Sequence, residues 1–199
     1  KADILVMEST FGRPQYRLPP REHVIDQLLE TVTGALAAEK TPVIHAYALG
    51  KAQEVTKLLT NHGFSVLQHP LIYATSQLYL ELGVDLGNVA EYVETAPAGH
   101  VVITLPRSMR KFRLPGLQRT LSIATTGWAV DPSTKYRWDV DVAIPLSDHA
   151  DFDQLIDTVR RAEHREVICT HGPAEFADHL CDLGFNARPL KPPKQKRLF

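Results

Sequence analysis

Apolar and polar positions alternate in blocks that change period along the chain. Asp3-Ile-Leu-Val-Met7 is a short apolar run of strand formers, closed by the polar Glu8-Ser-Thr-Phe-Gly12; a buried strand ending in a polar loop is expected. After Pro14, Pro19 and Pro20, the residues Val24, Leu28, Leu29, Val32 and Leu36 recur at helical spacing. Pro42 to Ala48 reads as a strand, Gly50 to Asn61 as a helix with Ala52, Val55, Leu58 and Leu59 on one side, and Phe64 to Gln68 as a strand. Ser76 to Leu82 reads as helical and His100 to Leu105 as a strand, with no clear period between them. The last third predicts a strand over Trp138 to Ile144, a helix over Ala150 to Ala162, a buried strand over Glu166 to Thr170, and a helix that Pro173 starts and Gly184 ends. Strands and helices in alternation predict an α/β fold around a mostly parallel sheet.

A chain of 199 residues with 44% apolar and 23% charged residues has the composition of a globular protein. Its longest apolar runs are far shorter than the roughly 20 residues a membrane span needs, so no membrane partner is expected. Two cysteines, Cys169 and Cys181, make no disulfide framework, and a reducing cytoplasm is the default expectation. The formal charge of −1 conceals a segregation. Residues 188–199 carry Arg188, Lys191, Lys194, Lys196 and Arg197 and no acid; subtracting those 5 from 22 basic residues leaves 17 against 23 acidic ones, or −6. A second basic run holds Arg107, Arg110, Lys111, Arg113 and Arg119. Such runs suit a polyanion, and equally suit a solvated loop and a Pro-containing end.

Open α/β sheets gather functional groups just past the carboxyl ends of their strands. Three polar clusters fall there: Glu8-Ser-Thr-Phe-Gly12, Ser147-Asp-His-Ala-Asp151 and Thr170-His-Gly172. Singly, each has a structural explanation, as a strand end, a helix cap or a loop residue. Jointly they offer a carboxylate, two imidazoles and flanking acids at the strand ends of one sheet, the inventory of a metal-assisted hydrolase.

In that order, the three clusters resemble motifs A, B and C of the β-CASP nucleases of the metallo-β-lactamase superfamily, which include ribonuclease J and the endonuclease subunit of the pre-mRNA 3′-end cleavage complex. Ala46-Tyr-Ala-Leu-Gly-Lys-Ala-Gln53 and Thr126-Gly-Trp128 most resemble the bacterial branch of DNA-ligase-associated exonucleases, or mRNA 3′-end processing factors. The resemblance implies a Rossmann-like β-CASP domain over 13–125, the C-terminal portion of a metallo-β-lactamase αββα fold over 1–12 and 126–187, and a basic tail over 188–199. It implies a zinc-dependent exonuclease acting on single-stranded RNA or DNA, in RNA processing or DNA repair. His171 would be a zinc ligand and His149 the general acid. Glu8 would hydrogen-bond His149, and Ser147 and Asp151 would be supporting or capping residues. Gly50 and Lys51 would face the nucleic acid.

The family's His-x-His-x-Asp-His motif precedes motif A, yet only seven residues precede Glu8, and the nine histidines contain no His-x-His pair. One imidazole does not hold a zinc that wants three or four ligands. Two Zn²⁺ are therefore expected in the full-length enzyme, none on this chain, and the chain is expected to be an inactive C-terminal part lacking the N-terminal lactamase portion; Lys1 in place of Met favours truncation. An apolar face meant for that portion would make a homo-oligomer plausible. The alternative is a non-catalytic β-CASP-like module that binds nucleic acid or protein. Leu49-Gly50-Lys51-Ala52 resembles the end of a P-loop, but His45 stands where its first glycine belongs and Ala52 where its Ser/Thr belongs. His45 reads as a core histidine, and Trp128, Trp138, Tyr136 and Tyr73 as core residues or base-stacking platforms.

Overall fold

The computed structural model describes residues 2–106 and 114–190. Arg107, Arg110, Lys111, Arg113 and the four basic residues from Lys191 onward lie outside the described residues. The chain divides into two compact units, 18–148 and 1–17 with 149–199.

The larger unit is built on six parallel strands: β2 (Thr41–His45), β3 (Ser65–Gln68), β4 (Val89–Glu91), β5 (His100–Thr104), β6 (Thr120–Thr125) and β7 (Val142–Ile144), in the order β4-β3-β5-β2-β6-β7. In β2 and β5 the last four residues are all buried, the signature of a parallel strand covered on both faces. One face carries Ile44, Val66, Val101, Ile103, Ile123 and Ile144, and packs with helices α1 (Arg21–Ala37) and α2 (Lys51–Asn61). Helix α1 contributes Val24, Leu28, Val32 and Ala35, a stripe at the 3.6-residue period. Val43, Leu67 and Val102 form a separate cluster with Tyr92.

Two elements depart from the sequence expectation. Helix α3 spans Pro70–Glu81 and so starts six residues before Ser76; His69 caps it by accepting the Leu71 N–H at 3.2 Å, and Pro70 occupies a first-turn position where it sacrifices no bond. The expected strand from Trp138 shrinks to Val142–Ile144. Residues 134–139 instead close a short helix, α4 (Thr134–Arg137), through Trp138 N–H to Thr134 O and Asp139 N–H to Tyr136 O, and Asp139 turns the chain with φ 52°.

The smaller unit has three parallel strands, β1 (Ile4–Glu8), β8 (Glu166–Thr170) and β9 (Ala187–Pro189), in the order β1-β8-β9. Helices α5 (Phe152–Arg161) and α6 (Glu175–Asp182) supply Phe152, Leu155, Ile156, Val159, Phe176 and Leu180 to a core shared with Val167 and Cys169. Burying each of these large side chains contributes roughly 1.5–3 kcal/mol. Ile4 and Val6 alternate with Leu5 and Met7 and remain exposed. Arg188 and Pro189, expected in the tail, belong to β9, and Leu190 N–H still bonds Cys169 O. Residues 126–148 fall in the larger unit, where β7 hydrogen-bonds to β6. No helix among the described residues is long and apolar enough to cross a membrane.

Candidate functional site

The parallel register of β1 and β8 places Glu8 opposite Thr170, so both strands deliver their following residues to one edge of the smaller unit. Ser9 locks that edge: its N–H and its Oγ both donate to Thr170 O, at 2.8 and 3.1 Å. The turn that follows is too close for side chains at two glycines. A Cβ on Gly172 would sit 1.9 Å from Ser9 O, and one on Gly12 would sit 2.8 Å from Phe176 and 2.9 Å from Ser9 O. Motifs A and C therefore hold each other in place through backbone contact.

Thr10 joins the two candidate groups at this edge. Its N–H donates to Glu8 Oε2 at 2.8 Å, and its hydroxyl donates to the His171 carbonyl at 3.2 Å. Glu8 Oε1 lies 3.4 Å from His149 Nδ1. Burial tends to raise the Glu8 carboxyl, but hydrogen bonds from Thr10 and the neighbouring His149 outweigh it and hold the group below its ordinary value. The His149 ring stands edge-on to the buried Phe11, with centroids 5.9 Å apart. His171 sits at φ 50°, a left-handed conformation that costs a non-glycine residue about 1–2 kcal/mol, and its Nδ1 is in close contact with Thr170 Oγ1.

Glu8 and His149 thus lie within reach of each other, and the main chain of His171 is tied to the same edge through Thr10. The second cluster departs from the expectation of one sheet, since β7 belongs to the six-stranded sheet while β1 and β8 belong to the three-stranded one. Asp151 caps α5: it accepts the Gln154 N–H at 2.9 Å, and Gln154 Oε1 returns the bond to Asp151 N–H at 3.0 Å. Ser147 O accepts from Arg21 at 3.4 Å.

Gly50 and Lys51 open α2 in the larger unit. Gly50 N–H bonds Gln53 Oε1, while the Lys51, Ala52 and Glu54 N–H groups bond the carbonyls of Leu49, Tyr47 and Gly50. The Lys51 side chain is only 3% exposed and pairs with Glu54 and Asp148. This geometry fits a supporting role better than a phosphate contact, which needs free N–H donors and an accessible ammonium. Thr10, Phe11, Thr170 and Arg21 were not apparent as site residues from sequence; the first three flank or sit within the motifs, and Arg21 carries no signal beyond opening α1. Tyr47 is half-exposed beside Trp138, their rings 6.0 Å apart.

Residues 142–188, running from β7 through β9, match the family described as a Zn-dependent metallo-hydrolase RNA specificity domain. That likeness to a known family is carried by those residues alone. Over 94% of its length it is 37% identical to a protein named "Probable DNA ligase" from Opitutus terrae, and over 60 residues it is 32% identical to an "RNase J-like protein" from Methanocaldococcus jannaschii. The chain spans only 18% of the first relative's length, and its match to the second covers 30% of the chain and 14% of that protein. A crystal structure of a protein of unknown function from Enterococcus faecalis V583 shares the fold, with a TM-score of 0.58 at 12% identity, over 96% of this chain and half of that one. The resemblance of the motifs to the metallo-β-lactamase superfamily agrees with the family described for residues 142–188.

The Zn-dependent family that residues 142–188 match raises the question of zinc. Among the described residues no three His, Cys, Asp or Glu side chains converge to hold a metal ion. The described residues do not by themselves fit a zinc site.

Proposed function

We propose that the protein to which this chain belongs is a zinc-dependent nuclease, an exonuclease that hydrolyses phosphodiester bonds in single-stranded RNA or DNA. The observation that carries the reading is the Glu8–His149 pair at the shared edge of β1 and β8, with His171 tied to the same edge through Thr10. His149 is placed as general acid: Nδ1 faces the Glu8 carboxylate, and Nε2 is the nitrogen that hands a proton to the leaving oxygen as the P–O bond breaks. Glu8 suits the task because hydrogen bonding keeps it ionised. His171 would offer one imidazole to a zinc whose remaining ligands the described residues do not supply.

We further read the larger unit as the β-CASP domain and the smaller as the closing part of a lactamase domain. The long match to a protein named a probable DNA ligase supports work at DNA ends, and the shorter match to an RNase J-like protein supports RNA; both substrates belong in the test. The test is cleavage of end-labelled single-stranded DNA and RNA by the full-length protein with His149→Ala and His171→Ala. Loss of a general acid lowers turnover by about 10²–10⁴-fold. Full turnover in either variant refutes the assigned roles, and a folded wild-type protein that binds both strands but cuts neither establishes the non-catalytic module instead.

A further inference from the structure

Lys51 is the buried charged group that the proposed chemistry leaves without a task. Its ammonium is nearly sealed from solvent, yet it pairs with two carboxylates: Glu54 in close contact, and Asp148 with Oδ1 3.5 Å away. Glu54 is shared with Arg21, and Arg21 donates to Ser147 O at 3.4 Å. Two cations at the starts of α1 and α2 thus grip the two consecutive residues that end the larger unit, and the next residue in the chain is His149. A buried ammonium carries a desolvation penalty of several kcal/mol, which only good pairing offsets; simple stability would be served as well by an apolar side chain.

We propose that Lys51 is a positioning residue, which clamps Asp148 and thereby fixes the backbone that presents His149. The inference rests on the reading of His149 as proton donor. Such a residue touches no substrate. Its removal loosens the segment 147–149, so the proton donor is misplaced while substrate binding is unaffected, and misplacement of about 1 Å is enough to reduce turnover up to 10²-fold.

The test uses the full-length protein with Lys51→Met, Lys51→Arg and Asp148→Asn, measuring kcat and KM on a single-stranded DNA oligonucleotide and hydrogen exchange of the peptide covering 147–149. Lys51→Met and Asp148→Asn should each lower kcat about tenfold or more at unchanged KM and speed exchange in that peptide, and Lys51→Arg should recover part of both. Should Lys51→Met fail to fold, Asp148→Asn decides the matter alone, since it leaves Lys51 paired with Glu54. A raised KM at constant kcat would make Lys51 a substrate contact and overturn the proposal, as would unchanged exchange in both variants. Full turnover in His149→Ala would remove the catalytic half of the proposal whatever exchange shows, while the exchange measurement would still report separately whether Lys51 holds Asp148.

Discussion

Gly172→Ala tests whether motifs A and C are locked by backbone contact. The added methyl would lie 1.9 Å from Ser9 O, so Ser9 or the 171–172 turn must retreat by more than about 1 Å to reach an ordinary contact. That movement strains the two bonds Ser9 makes to Thr170 O and the bond its own carbonyl accepts from Gly12 N–H at 2.9 Å. Overpacking costs about 1–3 kcal/mol, and each of the three weakened hydrogen bonds about 1 kcal/mol more, for a total of roughly 4–6 kcal/mol. The loss should fall on the smaller unit alone. Both tryptophans, Trp128 and Trp138, lie in the larger unit, while the buried Cys169 lies in the smaller one. Urea unfolding followed by tryptophan fluorescence should therefore be unchanged in the variant, and urea-dependent alkylation of Cys169 should shift to lower denaturant by the full amount. A Cys169 transition within about 0.5 kcal/mol of wild type would refute the close-contact argument, since surface changes with no special role fall in that range.

Three further outcomes follow from local geometry. Asp151→Ala should destabilise the smaller unit by about 1 kcal/mol in the Cys169 assay, and Asp151→Asn should restore it, because the residue caps α5 through the Gln154 N–H. Burial pushes the Cys169 thiol up to about 11, so its thiolate fraction at pH 8 is about 10⁻³; a thiol reagent should modify the exposed Cys181 first and Cys169 only on unfolding, as mass spectrometry of timed samples will show. Glu8 has a lowered folded value, so its contribution to stability is complete above 4.5, the ordinary value of the group, and is lost as pH falls through the folded one; Glu8→Gln should flatten that acid limb of a stability-against-pH curve, and an unchanged limb would show the carboxyl to be unperturbed.

Much of the fold was legible in sequence because its elements are amphipathic or uniformly apolar. Val24, Leu28 and Val32 mark α1 by spacing alone, and the apolar run 166–170 marks β8. Where reading failed, local chemistry overrode pattern. The alternation from Trp138 imitates a strand, yet Asp139 at φ 52° and the bonds back to Thr134 and Tyr136 turn those residues into a helical corner. β6 and the short edges β4 and β9 escaped notice: β6 starts with exposed or half-exposed residues, and three-residue strands carry too little period to register. The candidate site was legible as three motifs in order. Thr10, which ties Glu8 to His171, does so through its own N–H and onto the His171 carbonyl, main-chain atoms that have no signature in residue type.

Electrostatics at the β1–β8 edge bears on what this chain does alone. A phosphodiester approaching His149 brings a negative charge toward Glu8, itself ionised and about one-third exposed. In water-like surroundings two like charges 4 Å apart repel by about 1 kcal/mol, and by about 4 kcal/mol at a partly shielded surface. A hydrolase offsets that repulsion with cations at the phosphoryl oxygens, and His171 alone cannot supply them. Residues 1–199 in isolation should therefore show no turnover of single-stranded DNA or RNA with added Zn²⁺, in an assay sensitive enough to see one part in 10⁴ of full-length activity. Hydrolysis by the purified chain that disappears with His149→Ala would show that the Glu8–His149 edge assembles a complete centre from its own residues, and the argument from charge would be wrong.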